Sequence, residues 1–145
     1  AKPLYILNGP NHNLLGEREP AIYGRATLAN IEKMCAARAQ ALGGAIIFRQ
    51  TQREGELVEW LHEAREKACA VILNAGAYTH TSVALYDAIK AIAVPVIEVH
   101  LSNPHAREAF RHVSYISPGA KGVIAGFGAQ SYVLAVEAAL AAPAP

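Results

Sequence analysis

Ala70-Val71-Ile72-Leu73-Asn74 is an unbroken apolar run that stops on an amide side chain. A strand with no polar alternation is buried on both faces, as in parallel sheets whose crossover helices cover both sides. Three further runs repeat the pattern. Leu4–Leu7 ends in Asn8, Val96–Val99 (apolar apart from Glu98) ends in His100, and Val123–Ile124 runs into a glycine-rich turn. In a parallel α/β sheet the carboxyl ends of the strands converge on one edge, where ligands bind. The chain announces a site at that edge.

Helical periodicity fills the intervals. Thr27 is a plausible N-cap for a helix to about Leu42, with Ile31, Met34, Cys35 and Leu42 on or near its apolar face and Gly43-Gly44 as the stop. A strand over Ala45–Arg49 follows. Glu54 or Gly55 opens a helix whose apolar side is Leu57, Val58, Trp60 and Leu61. Thr81 or Ser82 caps a third, carrying Val83, Leu85, Ala88, Ile89 and Ile92, and Pro95 starts the strand Val96–His100. A short helix is expected within His105–Arg111, a last strand over Gly122–Phe127 and a last helix over Ala129–Ala141. The expected fold is α/β: a flavodoxin-like three-layer sandwich, its five-stranded parallel sheet ordered 2-1-3-4-5. That order puts Asn8 through Asn11 opposite Asn74 through Thr81 across the crevice.

Bulk properties narrow the class. The 145 residues suit one domain spanning 1–145, with 141–145 a frayed tail because its prolines cannot continue a helix. Hydrophobic residues are 52% and charged residues 17%, which argues against disorder. A net charge of +1, with no Lys/Arg block, excludes the electrostatic footprint of a nucleic-acid binder. No segment has the roughly 18 apolar residues of a membrane span, and the amino terminus lacks a secretory pattern, so a cytoplasmic location is expected. Cys35 and Cys69 show no zinc spacing and read as buried reduced thiols.

The sixteen residues Gly9–Gly24 show no periodicity, and a connection of that length is more often functional than structural. They read as a lid hinged at Gly16 and Gly24, holding Asn11, His12, Asn13, Arg18 and Tyr23. A tyrosine base at neutral pH requires its phenolate to be stabilised by roughly 4 kcal/mol, which nearby guanidiniums in a dry site supply. The bland alternative is a tyrosine packing its ring at a loop end. Arg107 and Arg111 are four apart and share a face if that segment is helical, pointing either at the strand edge or at solvent. Glu98 and His100 are two apart in a strand and lie on one face. A carboxylate beside an imidazole suits a general acid, or the two merely satisfy each other. In Asn74–Ser82, helix-start amides and the backbone at Leu101 and Ser102 are seats for a carboxylate, and Asn74 and His80 are hydrogen-bonding groups for hydroxyls. A turn asparagine with Thr/Ser caps explains most of that segment but not His80. Gly126-Phe127-Gly128-Ala129-Gln130-Ser131 follows the last strand, ends in serine and leaves too little chain for the acidic ribose partner, which argues against a dinucleotide fingerprint. The six histidines show no metal-ligand spacing. Neither metal nor cofactor is expected, and the groups suit proton transfer on a small anion.

Asn8-Gly9-Pro10-Asn11, Leu14-Leu15-Gly16, Arg18-Glu19-Pro20, Tyr23-Gly24, the segment Asn74–Ser82, and Glu98–Asn103 with His105-Ala106-Arg107 together resemble type II 3-dehydroquinate dehydratases. The likeness runs from about Leu4 to Leu140. It implies anti elimination of water from 3-dehydroquinate through an enolate to 3-dehydroshikimate, in the shikimate pathway of aromatic amino acid biosynthesis or in quinate breakdown. By that resemblance Tyr23 is the base, held as phenolate by Arg18 with help from Arg107. Asn11 holds the water that stabilises the enolate, and His100, oriented by Glu98, is the acid. Asn74 with the Leu101 and Ser102 backbone seats the carboxylate, and His80 and Arg111 bind ring hydroxyls. The resemblance further implies a homododecamer, a tetramer of trimers in which Asp87 reaches a neighbouring subunit's site. Tyr86 stands where the family commonly has arginine, and Glu17 lies on variable ground in the lid. A non-catalytic flavodoxin-like module binding a small hydroxylated carboxylate is the alternative.

Overall fold

In the computed structural model, which describes residues 1–141, five parallel strands form one sheet in the order β2-β1-β3-β4-β5. They are β1 (Leu4–Asn8), β2 (Ile46–Gln50), β3 (Ala70–Asn74), β4 (Val96–His100) and β5 (Gly122–Ala125). Asn8 registers with Asn74, and the reversal of strand order lies between β1 and β3, as the apolar runs imply. Every residue of β1, β3 and β4 is buried. β5 is a partly exposed edge strand with Val123 half-exposed, so the sheet is not fully covered there.

Alternate side chains feed two cores. Tyr5, Leu7, Val71 and Leu73 pack with Leu57, Leu61 and Ala64 of α3 (Glu54–Lys67) and with Leu85, Ala88 and Ile89 of α4 (Val83–Lys90). Leu4, Ile6, Ile72 and Val99 pack on the other face with Ile31, Cys35 and Ala39 of α2 (Leu28–Ala41) and Tyr132, Ala135 and Val136 of α5 (Gln130–Ala141). Each fully buried leucine or isoleucine contributes about 1.5–3 kcal/mol. Thr27 caps α2 in a reciprocal box with Asn30, and Gly43 ends it at φ 83°, a conformation that favours glycine. Ser82, rather than Thr81, caps α4 by accepting from the Leu85 amide.

Several boundaries differ from expectation. The last strand stops at Ala125 because Gly126 turns to φ 98°. Met34 and Val83 are exposed, each lying off its helix's buried stripe, and Cys69 is exposed where the chain enters β3. No single helix spans His105–Arg111. Two separate 3₁₀ turns, Pro104–Ala106 and Ala109–Arg111, are split by extended backbone at Arg107 and Glu108. Ala141 belongs to α5, and the rest of the expected tail, 142–145, lies outside the described residues.

Candidate active site

Leaving β1, the chain passes so close to β3 that a Cβ on Gly9 would sit 2.4 Å from the Ala75 carbonyl oxygen. Only glycine fits. Asn11 then takes a left-handed φ of 69°, which asparagine tolerates better than most residues, and receives its anchor when its backbone amide donates to Gln52 Oε1 at 2.8 Å. The expected lid is built rather than irregular. A 3₁₀ turn (His12–Leu14) leads through Gly16 at φ 92° to the short helix α1 (Pro20–Tyr23), which ends on Gly24 at φ 84°.

This path brings Tyr23 against two cations. The guanidinium carbons of Arg18 and Arg107 each lie 4.9 Å from its ring centroid. Two guanidinium groups thus pack against one phenol ring. Arg107 comes from the segment after β4, where its Nη1 donates to Ser102 Oγ at 3.3 Å.

His100, at the end of β4, faces the same pocket. Its Nε2 lies 2.5 Å from Glu98 Oε2, so the alternation of the strand delivers the pair that the sequence implied. Burial alone would raise the Glu98 carboxyl, but hydrogen bonds from His100, Ser117 and Ser114, together with the His100 charge, outweigh it and hold the carboxyl below its ordinary range. An ionised Glu98 accepts the Nε2 proton, which leaves Nδ1 as the nitrogen able to exchange a proton with a ligand.

Asn74, His80, Leu101, Ser102 and Arg111 complete the lining, with Asn11 and Pro10 opposite. His80 Nδ1 donates to the Val113 carbonyl at 2.8 Å, leaving Nε2 as an acceptor in the neutral ring. Arg111 Nε donates to Glu108 Oε2 at 3.1 Å. Although Arg107 and Arg111 do not share a helix face, the extended residue Arg107 and the turn holding Arg111 both reach the pocket. Asp87 is different: it is exposed on α4 and does not line this pocket.

Sequence reasoning missed three supports. Tyr132, fully buried on α5, accepts from Asn74 Nδ2 at 2.8 Å and donates to Asn8 Oδ1 at 2.7 Å, tying both strand-end amides together. A lone tyrosine 58 residues from its partner carries no motif. Ser114 and Ser117 reach Glu98 from a loop without periodicity. His12 was visible as a lid residue but had no assigned part. It is buried beside the pocket with Nδ1 unpartnered, and its pKa is lowered to about 4 by burial, then by His100 and Arg18, against a small opposing effect of the Gly9 backbone. His12 is therefore neutral at pH 7. Among the described residues no group of three or more His, Cys, Asp or Glu is placed to hold a metal ion, and no helix is long and apolar enough to cross a membrane.

The family model described as "Dehydroquinase class II" matches residues 2–140. The chain belongs to this family. Among curated relatives, the 3-dehydroquinate dehydratase of Phenylobacterium zucineum is 60% identical over 139 residues, covering 96% of each chain. That of Sinorhizobium medicae is 62% identical over 138 residues, covering 95% of this chain and 93% of its own. The type II dehydroquinase of Propionibacterium acnes superposes with a TM-score of 0.94 at 38% identity over 98% of both chains. The type II dehydroquinase of Butyrivibrio crossotus gives 0.92 at 34% identity, covering 94% of this chain and 96% of its own. Dehydroquinase architecture thus extends over nearly the whole chain.

Proposed function

We propose that this chain, as one catalytic domain, converts 3-dehydroquinate to 3-dehydroshikimate by anti elimination of water. The observation that carries the reading is Tyr23 with the guanidiniums of Arg18 and Arg107 over its ring, in a pocket also lined by His100, which is paired with Glu98. Tyr23, as phenolate, takes the proton beside the ketone, and the electron pair moves onto the carbonyl oxygen as an enolate. A water held by Asn11 donates to that oxygen, a role worth about 3 kcal/mol in comparable oxyanion sites. As the enolate collapses, the carbon–oxygen bond breaks and His100 delivers its Nδ1 proton to the departing hydroxyl, releasing water.

Substrate binding in this reading uses Asn74 and the backbone of Leu101 and Ser102 for the carboxylate, with His80 and Arg111 for the ring hydroxyls. The exposed position of Asp87, away from its own pocket, supports a part in a neighbouring subunit's site within a dodecamer of four trimers. The proposed setting is the shikimate pathway in the cytoplasm. Incubating purified protein with 3-dehydroquinate and following absorbance of the conjugated enone tests the reaction. A steady rise that survives both a chelator and borohydride is expected. No rise from folded protein that binds the compound would leave a binding module instead.

A further inference from the structure

Glu98 accepts more hydrogen bonds than its pairing with His100 requires. Ser114 Oγ donates to Glu98 Oε2 at 2.9 Å, and Ser117 Oγ donates to Oε1. The direction of the first bond is forced. A hydroxyl has one proton and two lone pairs, and both lone pairs of Ser114 are taken, by the Ile116 amide at 3.1 Å and the Ser117 amide at 3.0 Å. Its proton can only go to the carboxylate. With His100 Nε2 on Oε2, three donors converge on two oxygens from two sides, and a carboxylate that accepts all three cannot rotate about its own axis without losing one. The loop bearing both serines is anchored by Ile116, which is fully buried in the core against α4.

We propose that Ser114 and Ser117 are positioning residues for the acid, a two-hydroxyl clamp that fixes the Glu98 carboxylate and through it the orientation of the His100 ring toward the substrate. This rests on the reading of His100 as the acid. The clamp determines which ring nitrogen faces the pocket: with Nε2 held against a carboxylate that has no freedom to turn, Nδ1 stays presented. Neither serine touches the pocket that holds Tyr23. The second cavity, which both serines line, also carries His80, His100, His105, Arg111 and His112; of these, His100 pairs with Glu98 and Arg111 with Glu108.

Ser117→Ala is the cleaner variant, because among the described residues the Ser117 side chain bonds only to Glu98 whereas Ser114 also holds two backbone amides. In the full-length protein, carbon-13 NMR of the Glu98 carboxyl across pH should show its titration moving up by about one pH unit in Ser117→Ala, with kcat falling roughly tenfold and KM changing less than twofold. Ser117→Thr, which keeps the hydroxyl, should restore both. If Ser117→Ala does not fold, Ser117→Cys, with a weaker donor of similar size, should give an intermediate shift. An unmoved Glu98 titration together with unchanged kcat, in a folded variant, overturns the clamp. His100→Ala separates the two levels: full dehydration by that variant refutes the acid itself, whereas lost dehydration alongside an unaffected Ser117→Ala refutes only the clamp.

Discussion

Two guanidinium carbons at the same 4.9 Å from one phenol ring set positive charge beside the group proposed to become negative. Their effect grows as the proton leaves, since a neutral phenol gains far less from a cation than a phenolate does. Arg18→Ala should therefore lower kcat about 100-fold while KM moves only severalfold, measured by steady-state kinetics; unchanged kcat would remove Arg18 from the mechanism. At the other end of the reaction, His100→Ala should slow dehydration by about 10²- to 10⁴-fold yet leave part of the hydrogen exchange at the carbon beside the ketone, read by NMR in deuterium oxide. Equal loss of both would contradict the division between base and acid. These residues were legible because their types are informative at a strand end or in a long connection. Ser114, Ser117 and Tyr132 were not, since a serine in a loop and a tyrosine on an apolar helix are ordinary, and their significance lies wholly in contacts made across 16, 19 and 58 residues.

Among the elements, the strands were the easiest to read. β3 and β4 have the expected boundaries because a buried parallel strand is apolar from end to end and stops where the sheet edge meets polar chemistry. The connections were harder. A 3₁₀ turn of three residues has no amphipathic repeat, so the two turns on either side of Arg107 and Glu108 resembled one short helix, and the helical parts of the lid resembled irregular chain. α5 contributes to the site through one atom, the Tyr132 hydroxyl, which links Asn8 of β1 with Asn74 of β3. Tyr132→Phe should cost about 1–3 kcal/mol in urea unfolding, because two buried amides lose their shared partner, and should raise KM as Asn74 loses its fixed orientation. A variant with wild-type stability and KM would show that the link is dispensable.

For the molecule as a whole, placing a neutral histidine in the site links stability to pH. An unfolded His12 takes up a proton as pH falls below about 6.5, whereas the folded ring resists until about 4, so stability is full above pH 6.5 and is lost progressively as pH falls between these values. The gap is worth about 3 kcal/mol. Glu98 adds a second acid-sensitive contribution, present above its ordinary carboxyl range and lost as pH falls through its depressed folded value. The His12→Leu variant should be at least as stable as wild type at pH 7.5 and should lose markedly less stability than wild type on acidification to pH 4.5, measured by urea denaturation at both pH values. Identical losses would show that His12 titrates normally. The sheet order and the crevice between β1 and β3 followed from chain alternation, while the acid lability of His12 depends on how deeply the lid buries it, which no local pattern encodes.

Every step of the proposed elimination depends on Tyr23 as the base. Its most direct test pairs turnover with binding in Tyr23→Phe, which keeps the ring against Arg18 and Arg107 and removes only the ionisable oxygen. Enone formation should fall by at least about 10³-fold while calorimetry shows 3-dehydroquinate bound within a few-fold of wild type. Turnover within tenfold of wild type, with the substrate bound as well as before, would contradict it.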